Sequence, residues 1–258
     1  MNHKLLLRRT SKLITPSRHI KRRMWQERGG TLDKMVIILP ELKVMYTSVP
    51  KAANSTVKKC LWSASGVDIE GKNINSAIFK NPGPSRRISE IDDRELSYIF
   101  TSDDWFKFSF VRNPYKRLLS GYKDKILGMG NPGKSNSFLK RINWHSSKPP
   151  SFDEFIEAIC AQEEDAMDWH WMPQSRLLMT DIIHYGFIGK LENFKADMNT
   201  VLLKLNVERD KIDALLSVSL NKTKGSEKQV AISDKAAKMI YLKYKKDFDG
   251  FGYDPKTY

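Results

Sequence analysis

Apolar, strand-like runs that alternate with helix-like runs constrain the fold of this chain most. Short buried runs rich in β-branched and aromatic residues are typical of strands, and they occur at 34–40, 43–49, 106–112 and 182–189. Helical periodicity occupies much of the sequence between and after them, at 55–65, 113–127, 151–161, 191–206 and 233–248. Alternation of this kind predicts a single α/β domain with a mainly parallel sheet flanked by helices.

Local signals set several boundaries of these elements. Asn54 or Ser55 is expected to cap the helix at 55–65, and Ser151 with Glu154 forms a capping box for the helix at 151–161. The Gly, Pro and Ser residues of 128–150 predict a loop. One continuous helix is expected over 233–248.

Composition excludes several classes of protein. The 258 residues are 40% hydrophobic and include two cysteines, which cannot make a disulfide framework and favour a reducing compartment. The longest apolar run, 35–39, is too short to span a bilayer, and no signal-peptide core is evident. The sequence therefore predicts a cytoplasmic location.

The positive charge is concentrated at the start of the chain. Residues 1–28 hold nine Lys or Arg and one acid, a net +8 of the total +14. We therefore separate a basic arm, 1–30, from a domain, 31–258. The arm is either a solvated tail or a segment that contacts an anionic surface such as a membrane.

The turn between the second strand and the next helix has the composition of an anion cradle. Backbone N–H groups and the helix dipole converge at such a turn, small side chains leave room, and an ammonium and hydroxyls add donors. The Walker glycines are absent, and the same pattern also suits plain strand–turn–helix geometry. The candidate ligand-binding residues here are Pro50, Lys51, Ala52, Ala53, Asn54, Ser55 and Thr56.

A second strand–helix junction carries complementary groups. Arg112 ends the strand at 106–112, and Arg117 and Ser120 lie three residues apart on one face of the following helix. Arginine grips phosphate with two parallel hydrogen bonds. One ligand with phosphates at both ends would meet both junctions.

The two junctions resemble a known pair of motifs. VPKAANSTVK (49–58) and FVRNPYKRLLSGYKDK (110–125) are similar to the nucleotide-binding motifs of carbohydrate sulfotransferases, a group that includes chondroitin, dermatan and related Golgi enzymes and their bacterial relatives. Stretches 168–174, 185–202 and 244–254 resemble the same group. The resemblance implies a P-loop-like nucleotide-binding sulfotransferase fold. It also implies that 3′-phosphoadenosine 5′-phosphosulfate (PAPS) is the donor, with its phosphosulfate at the first motif and its 3′-phosphate at the second.

Sulfonate transfer to a hydroxyl needs charge stabilisation and a base. Lys51 is the candidate cation for the leaving phosphate. His170, with carboxylates nearby, is the candidate general base; structural packing or acceptor binding are its other possible roles, and His145 is the second choice. The electrostatics do not require a metal, and the sequence shows no metal-ligand cluster.

The acceptor implied by the resemblance is a carbohydrate, which could itself be anionic. Trp144, His145 and Trp169 are candidates for contacting it, although a solvated loop and core packing explain them equally well. Two other functions stay open at this point: a kinase-like phosphoryl transferase, and a basic protein that binds nucleic acid or another anionic surface. No nucleic-acid motif is recognised, so nucleic acid is not expected as a partner.

Overall fold

A computed structural model of the chain describes residues 32–67, 83–128, 135–181, 183–217 and 230–258. The basic arm lies outside these described residues. The α/β architecture expected from the sequence is confirmed: a four-stranded, mostly parallel sheet is flanked by helices.

The sheet has the strand order β1-β2-β3-β4. β1 and β2 form an antiparallel pair, whereas β2, β3 and β4 run parallel. Residue pairs such as Tyr46 with Phe108 and Phe110 with Gly189 fix the register. The strands are β1 (Val36–Leu39), β2 (Val44–Thr47), β3 (Phe106–Val111) and β4 (Phe187–Lys190).

Helices cover the sheet and supply most of the remaining structure. The first six are α1 (Leu32–Met35), α2 (Asn54–Ala64), α3 (Asp93–Thr101), α4 (Pro114–Gly121), α5 (Ser135–Arg141) and α6 (Phe152–Cys160). They are followed by α7 (Gln174–Leu178), α8 (Phe194–Lys204), α9 (Arg209–Ser217), α10 (Asp234–Lys243) and α11 (Lys245–Phe251). A π-helical turn, Tyr122–Ile126, extends α4. Within the described ranges, none of these helices is long and apolar enough to cross a membrane.

The sheet separates two hydrophobic clusters. Successive strand residues point to opposite faces, so Ile37 and Tyr46 join one cluster while Ile38 and Met45 join the other. The first cluster packs under α2 and α8, and the larger second one under α4, α6, α7, α10 and α11. Burial on both faces explains why the strand sequences are apolar runs rather than strict alternations.

Several expected boundaries are wrong, each for a physical reason. The segment 128–150 is not all loop, because Phe138 is 9% exposed and anchors α5 to the core. Of the strand expected at 182–189, residue 182 lies outside the described residues, 183–186 are not in a strand, and β4 begins at Phe187. The helix expected at 233–248 is broken at Tyr244, which is buried. The first residue before α2 is Ala53 in a left-handed conformation rather than an Asn or Ser cap. The capping box of Ser151 with Glu154 is confirmed.

Both candidate motifs lie at one edge of the sheet. Thr47, Val111 and Lys190 are the last residues of three neighbouring parallel strands. Chain segments that leave these ends meet at the same edge, which is where open α/β sheets bind ligands.

Candidate active site

The turn after β2 has an unusual backbone conformation. Lys51 and Ala53 have positive φ values of 70° and 59°, which fold the chain sharply into α2. Such values are unusual for residues with a Cβ and are found where the surroundings enforce them. Ala53 precedes α2 and has no polar side chain to cap its first turn. The positive end of the 11-residue helix therefore faces the site without a carboxylate or hydroxyl from its capping position.

Lys51 reaches from this turn to the second motif. Its Nζ donates to Asp124 Oδ2 at 3.0 Å, and Lys125 Nζ lies at the same distance from that oxygen. Asp124 belongs to the π-helical turn Tyr122–Ile126, a type of distortion found often at functional sites. Burial lowers the pKa of Lys51, and Asp124 partly opposes this. Although burial alone would raise the pKa of Asp124, the two lysines outweigh it and leave that pKa lowered.

Arg112 lies directly after β3 and faces the first turn. Its Nη1 donates to the Lys51 carbonyl at 3.3 Å, so the two motifs touch. Gln174 fixes the Arg112 backbone at both ends: Oε1 accepts from the Arg112 N–H at 2.9 Å, and Nε2 donates to the Arg112 carbonyl at 2.8 Å. Burial lowers the pKa of the guanidinium, while Glu192 and Tyr253 oppose this.

Arg117 occupies a different place from the one expected. It is 1% exposed, and its guanidinium donates to the carbonyls of Pro50 at 3.1 Å, Met172 at 2.8 Å and Trp169 at 2.9 Å. A side chain buried and occupied in this way is not presented to a nucleotide. Arg117 instead ties the first turn to the segment around His170. Ser120, three residues further along α4, is half-buried.

His170 is held by a buried carboxylate. Asp168 Oδ1 lies 2.6 Å from His170 Nδ1 and also accepts from the His170 backbone N–H at 2.9 Å. Because Asp168 accepts, Nδ1 carries the proton and Nε2 is left as the basic nitrogen. Burial lowers the pKa of His170, and Lys125 and Lys51 lower it further, against the opposing effect of Asp168. A neutral imidazole at neutral pH is the state that a general base requires.

Arg117 brings His170 and Lys51 into one site, because its guanidinium donates to the carbonyls of their chain neighbours, Trp169 and Pro50. The charge of Lys51 acts on the pKa of His170, although 119 positions separate them in the sequence. Phe138 packs beside His170 and Lys125, with its ring centroid 5.3 Å from that of His170 and 5.4 Å from Lys125 Nζ. The structure therefore brings together both predicted catalytic residues.

The three predicted acceptor contacts are placed differently from one another. Trp169 packs edge-to-face on His170 with centroids 5.6 Å apart, which puts it at the site. Trp144 is partly buried against the core, and its Nε1 donates to the Lys148 carbonyl at 2.7 Å. His145 is exposed. Trp171 of the same Trp–His–Trp stretch is fully buried and belongs to the core.

Several residues of the site were missed by the sequence reasoning. Asp247 is fully buried and accepts from the N–H groups of Gln174 at 2.7 Å and Ser175 at 2.8 Å, and burial raises its pKa. Glu192 accepts from the Asn113 N–H at 2.9 Å. The signal that could have found them was available, because both lie in the stretches 185–202 and 244–254 that resemble the family. Their partners, however, are backbone groups of distant segments, which a sequence does not reveal.

This arrangement suits the transfer of a charged group to a hydroxyl. It offers cations and a helix N-terminus for an anion on one side, and an oriented imidazole for a proton on the other. Across the part of the chain that the structure describes, no group of three or more His, Cys, Asp or Glu side chains could hold a metal ion.

Comparison with curated proteins finds carbohydrate sulfotransferases. Carbohydrate sulfotransferase 14 of Mus musculus is 28% identical over 185 residues, which cover 67% of this chain and 46% of that protein. Carbohydrate sulfotransferase 9 of Homo sapiens is 26% identical, covering 65% of this chain and 40% of the relative. Carbohydrate sulfotransferase 10 of Pongo abelii is 25% identical, covering 86% and 67%. The chain thus spans about half the length of the first of these relatives.

The cytoplasmic location expected from the sequence is wrong. The relatives are carbohydrate sulfotransferases, the group of Golgi enzymes that the motifs already resemble. The expectation rested on the missing signal peptide and apolar span. Because the chain spans only part of its relatives, the absence of those segments carries no information about location.

A family model covers most of the chain. No solved structure matches the chain significantly. The model described as the sulfotransferase family matches residues 34–254, which include β1 to β4, both motifs and the Asp247 contact. The chain belongs to the sulfotransferase family.

Proposed function

We propose that the protein transfers a sulfonate from PAPS to a hydroxyl group of a carbohydrate. The observation that carries the proposal is that Arg117 ties the turn of Lys51 to the segment of His170, whose ring is oriented by Asp168. One supplies positive charge for a leaving phosphate, and the other a base for an acceptor hydroxyl. The carbohydrate sulfotransferases among the relatives support this choice of acceptor.

The donor is proposed to lie along the edge formed by the ends of β2 and β3. The turn at Lys51 and the N-terminus of α2 suit a phosphosulfate, and Arg112 next to them suits a second phosphate. The remaining candidates belong to the same two segments: Pro50, Ala52, Asn54, Ser55, Thr56 and Ser120. Arg117 is a positioning residue, because it holds the Pro50 carbonyl of this turn.

The proposed reaction breaks one S–O bond and forms another. When bound, PAPS supplies the sulfonate, and the leaving bisphosphate keeps the electron pair of the broken S–O bond. His170 Nε2 takes the proton of the acceptor hydroxyl, whose oxygen forms the new bond to sulfur. Lys51 and the N-terminus of α2 stabilise the charge that develops on the phosphate. Asp168 stabilises the imidazolium and keeps its orientation.

The acceptor side of the site is proposed to be the surface around His170. Trp169 lies against His170 and offers an apolar face to a sugar ring. Trp144 and His145, in the segment after α5, are further candidates for contacting the acceptor. The acceptor hydroxyl is proposed to meet His170, and the leaving phosphate to meet Lys51, on opposite sides of the transferring sulfonate.

Calorimetry tests the donor assignment. Adenosine 3′,5′-bisphosphate should bind, whereas ATP, which lacks the 3′-phosphate, should bind much more weakly. Arg112→Ala should weaken bisphosphate binding about tenfold or more, since it removes charge-assisted hydrogen bonds worth roughly 1.5–3 kcal/mol each. Arg209→Ala, on the distant α9, is the control. Unchanged affinity in a folded Arg112→Ala protein would remove Arg112 from the donor site.

Turnover with labelled PAPS tests the reaction and separates the two catalytic roles. A screen of carbohydrate acceptors with mass-spectrometric detection should yield a sulfated product. His170→Ala should lower turnover by about 10²–10⁴-fold with little change in bisphosphate binding. A nitrophenol acceptor, whose hydroxyl needs less help from a base, should be partly spared by His170→Ala but not by Lys51→Ala. Near-normal turnover of His170→Ala with a sugar would place the base elsewhere, with His145 as the next candidate.

A further inference from the structure

Asp168 is shared between two basic side chains. Its side chain is 1% exposed, and its two oxygens have different partners. Oδ1 serves His170, as described above, while Oδ2 accepts a hydrogen bond from Arg141 Nη1 at the end of α5. A carboxylate that is shared with a guanidinium stabilises the protonated imidazole less strongly than a carboxylate that contacts the imidazole alone. The strength of the Arg141 contact therefore affects the basicity of His170.

Arg141 combines a fixed backbone with an accessible head. The Gln162 side chain donates to the Arg141 carbonyl at 2.6 Å and accepts from Trp171 Nε1 at 3.1 Å, which anchors the end of α5 to the core. The Arg141 side chain nevertheless remains 57% exposed. Its guanidinium carbon lies 5.4 Å from the centroid of the Phe138 ring, the same ring that contacts His170. Arg141 is thus the solvent-facing member of the group around the base.

The charges around His170 show what the exposed face of Arg141 can attract. The charged groups that shift the pKa of His170 most are Asp168, Lys125 and Lys51, and Arg141 forms an ion pair with Asp168. Segment 135–150, which includes α5 and Arg141, contains no Asp or Glu. An anionic group arriving from solvent therefore meets a guanidinium in a region without competing carboxylates of its own segment. Arginine binds carboxylate and sulfate groups with two parallel hydrogen bonds.

We propose that Arg141 is a positioning residue that couples the charge of the acceptor to the basicity of His170. An anionic group on the acceptor, a carboxylate or a sulfate next to the reacting hydroxyl, draws the guanidinium away from Asp168. The carboxylate then acts on His170 alone, and the imidazole becomes a stronger base when that acceptor is in place. This inference rests on the proposed function and assigns its acceptor to the anionic carbohydrates.

A titration of His170 tests the coupling without any turnover. Ring signals of the histidines are followed by NMR against pH, and His170 is assigned by the signal lost in His170→Gln. Arg141→Gln removes a cation and releases Asp168, and both effects raise the pKa of His170. Lys140→Gln removes the same charge one residue away and keeps the Asp168 contact, so it should shift the pKa less. If the pKa of His170 is the same in the wild type and in Arg141→Gln, the coupling is overturned, whatever reaction the protein catalyses.

Addition of an anionic sugar provides the second test. A uronic-acid oligosaccharide should raise the pKa of His170 in the wild type, and by a smaller amount in Arg141→Gln. The same oligosaccharide with its carboxyl groups reduced to alcohols is the neutral probe, and it should have no such effect in either protein. Equal shifts with the anionic probe in both proteins would mean that its charge acts directly on His170, not through Arg141.

Turnover with the two oligosaccharides then measures specificity. The ratio of kcat/KM for the anionic over the neutral oligosaccharide should fall about tenfold in Arg141→Gln, the size expected for one lost charge-assisted contact. Lys140→Gln should keep most of the preference. A preserved ratio in Arg141→Gln would overturn the proposal even if sulfonate transfer itself is observed. A protein without any transfer, but with the His170 titration as expected, would instead contradict only the proposed function.

Discussion

Lys125 lowers the pKa of His170, the proposed base, through its charge. Burial is the main cause of the lowered pKa of His170, and Lys125 is the leading cation that adds to it. Lys125→Gln removes that cation, so the protonated imidazole becomes less unfavourable and the pKa of His170 rises. The acid limb of the pH–rate profile should move to higher pH, and turnover at mildly acidic pH should fall. The profile of kcat against pH measures this directly.

Lys123→Gln is the matched control for Lys125→Gln. Lys123 lies on the same π-helical turn, and it is not among the leading causes of the shifted pKa of His170. Its loss should leave the acid limb close to that of the wild type. An acid limb that stays in place in Lys125→Gln would mean that His170 is not the group reported by the profile.

At these positions the sequence predicted residue types better than residue roles. Lys51, Arg112 and His170 could be singled out because strand ends and family-like motifs are visible in the sequence. Arg117 shows the limit. Its spacing from Ser120 is correct for one helix face, but only the fold reveals that the Arg117 guanidinium is buried and bonded to three carbonyl groups.

Among the secondary-structure elements, β4 requires a glycine at position 189, where there is no room for a side chain. A Cβ added to Gly189 would lie 2.5 Å from a carbon of the Phe110 ring, its partner in β3. Gly189→Ala must displace that ring within a buried layer, and we expect a loss of about 1–3 kcal/mol in the free energy of unfolding. Urea denaturation measures it. Gly186→Ala, where the nearest atom would lie 3.6 Å away, should cost far less.

The junction between β3 and α7 depends on the side chain of Gln174. This residue is fully buried and satisfies both backbone groups of Arg112. Gln174→Met leaves both groups without that partner, at a cost of about 1–3 kcal/mol for each buried group. Stability and bisphosphate affinity should fall together, because Arg112 loses its position. Gln162→Met also loses two hydrogen bonds, but at a half-buried site where water can replace them, so it should be milder.

Element boundaries were predictable where local chemistry decides them. The strands at 36–39, 44–47 and 106–111 and the capping box at Ser151 follow from short-range patterns. Tertiary packing decided the rest. Phe138 makes a helix of a segment whose Gly and Pro residues indicated a loop, and the break at Tyr244 lets two short helices pack where one was expected.

For the molecule as a whole, the proposed donor site joins parts that are far apart in the chain. The ends of β2 and β3, α7 and α11 all contribute to holding Arg112 and the Lys51 turn. Bound nucleotide should therefore stabilise the entire domain. At a bisphosphate concentration 100 times its Kd we expect about 2.7 kcal/mol, seen as a higher Tm. Adenosine 5′-monophosphate at the same concentration should give a much smaller increase, and equal effects would contradict a separate subsite for the 3′-phosphate.

Asp247 also sets an order of events during synthesis of the protein. The ribosome makes the sheet, both motifs and Gln174 well before it makes α11. Until that helix docks, the N–H groups of Gln174 and Ser175 lack the carboxylate that they meet in the finished fold. Arg112 is fixed through Gln174, so its placement also waits for α11. We therefore expect a nascent chain to fix Arg112, and with it the proposed nucleotide site, only after α11 has docked.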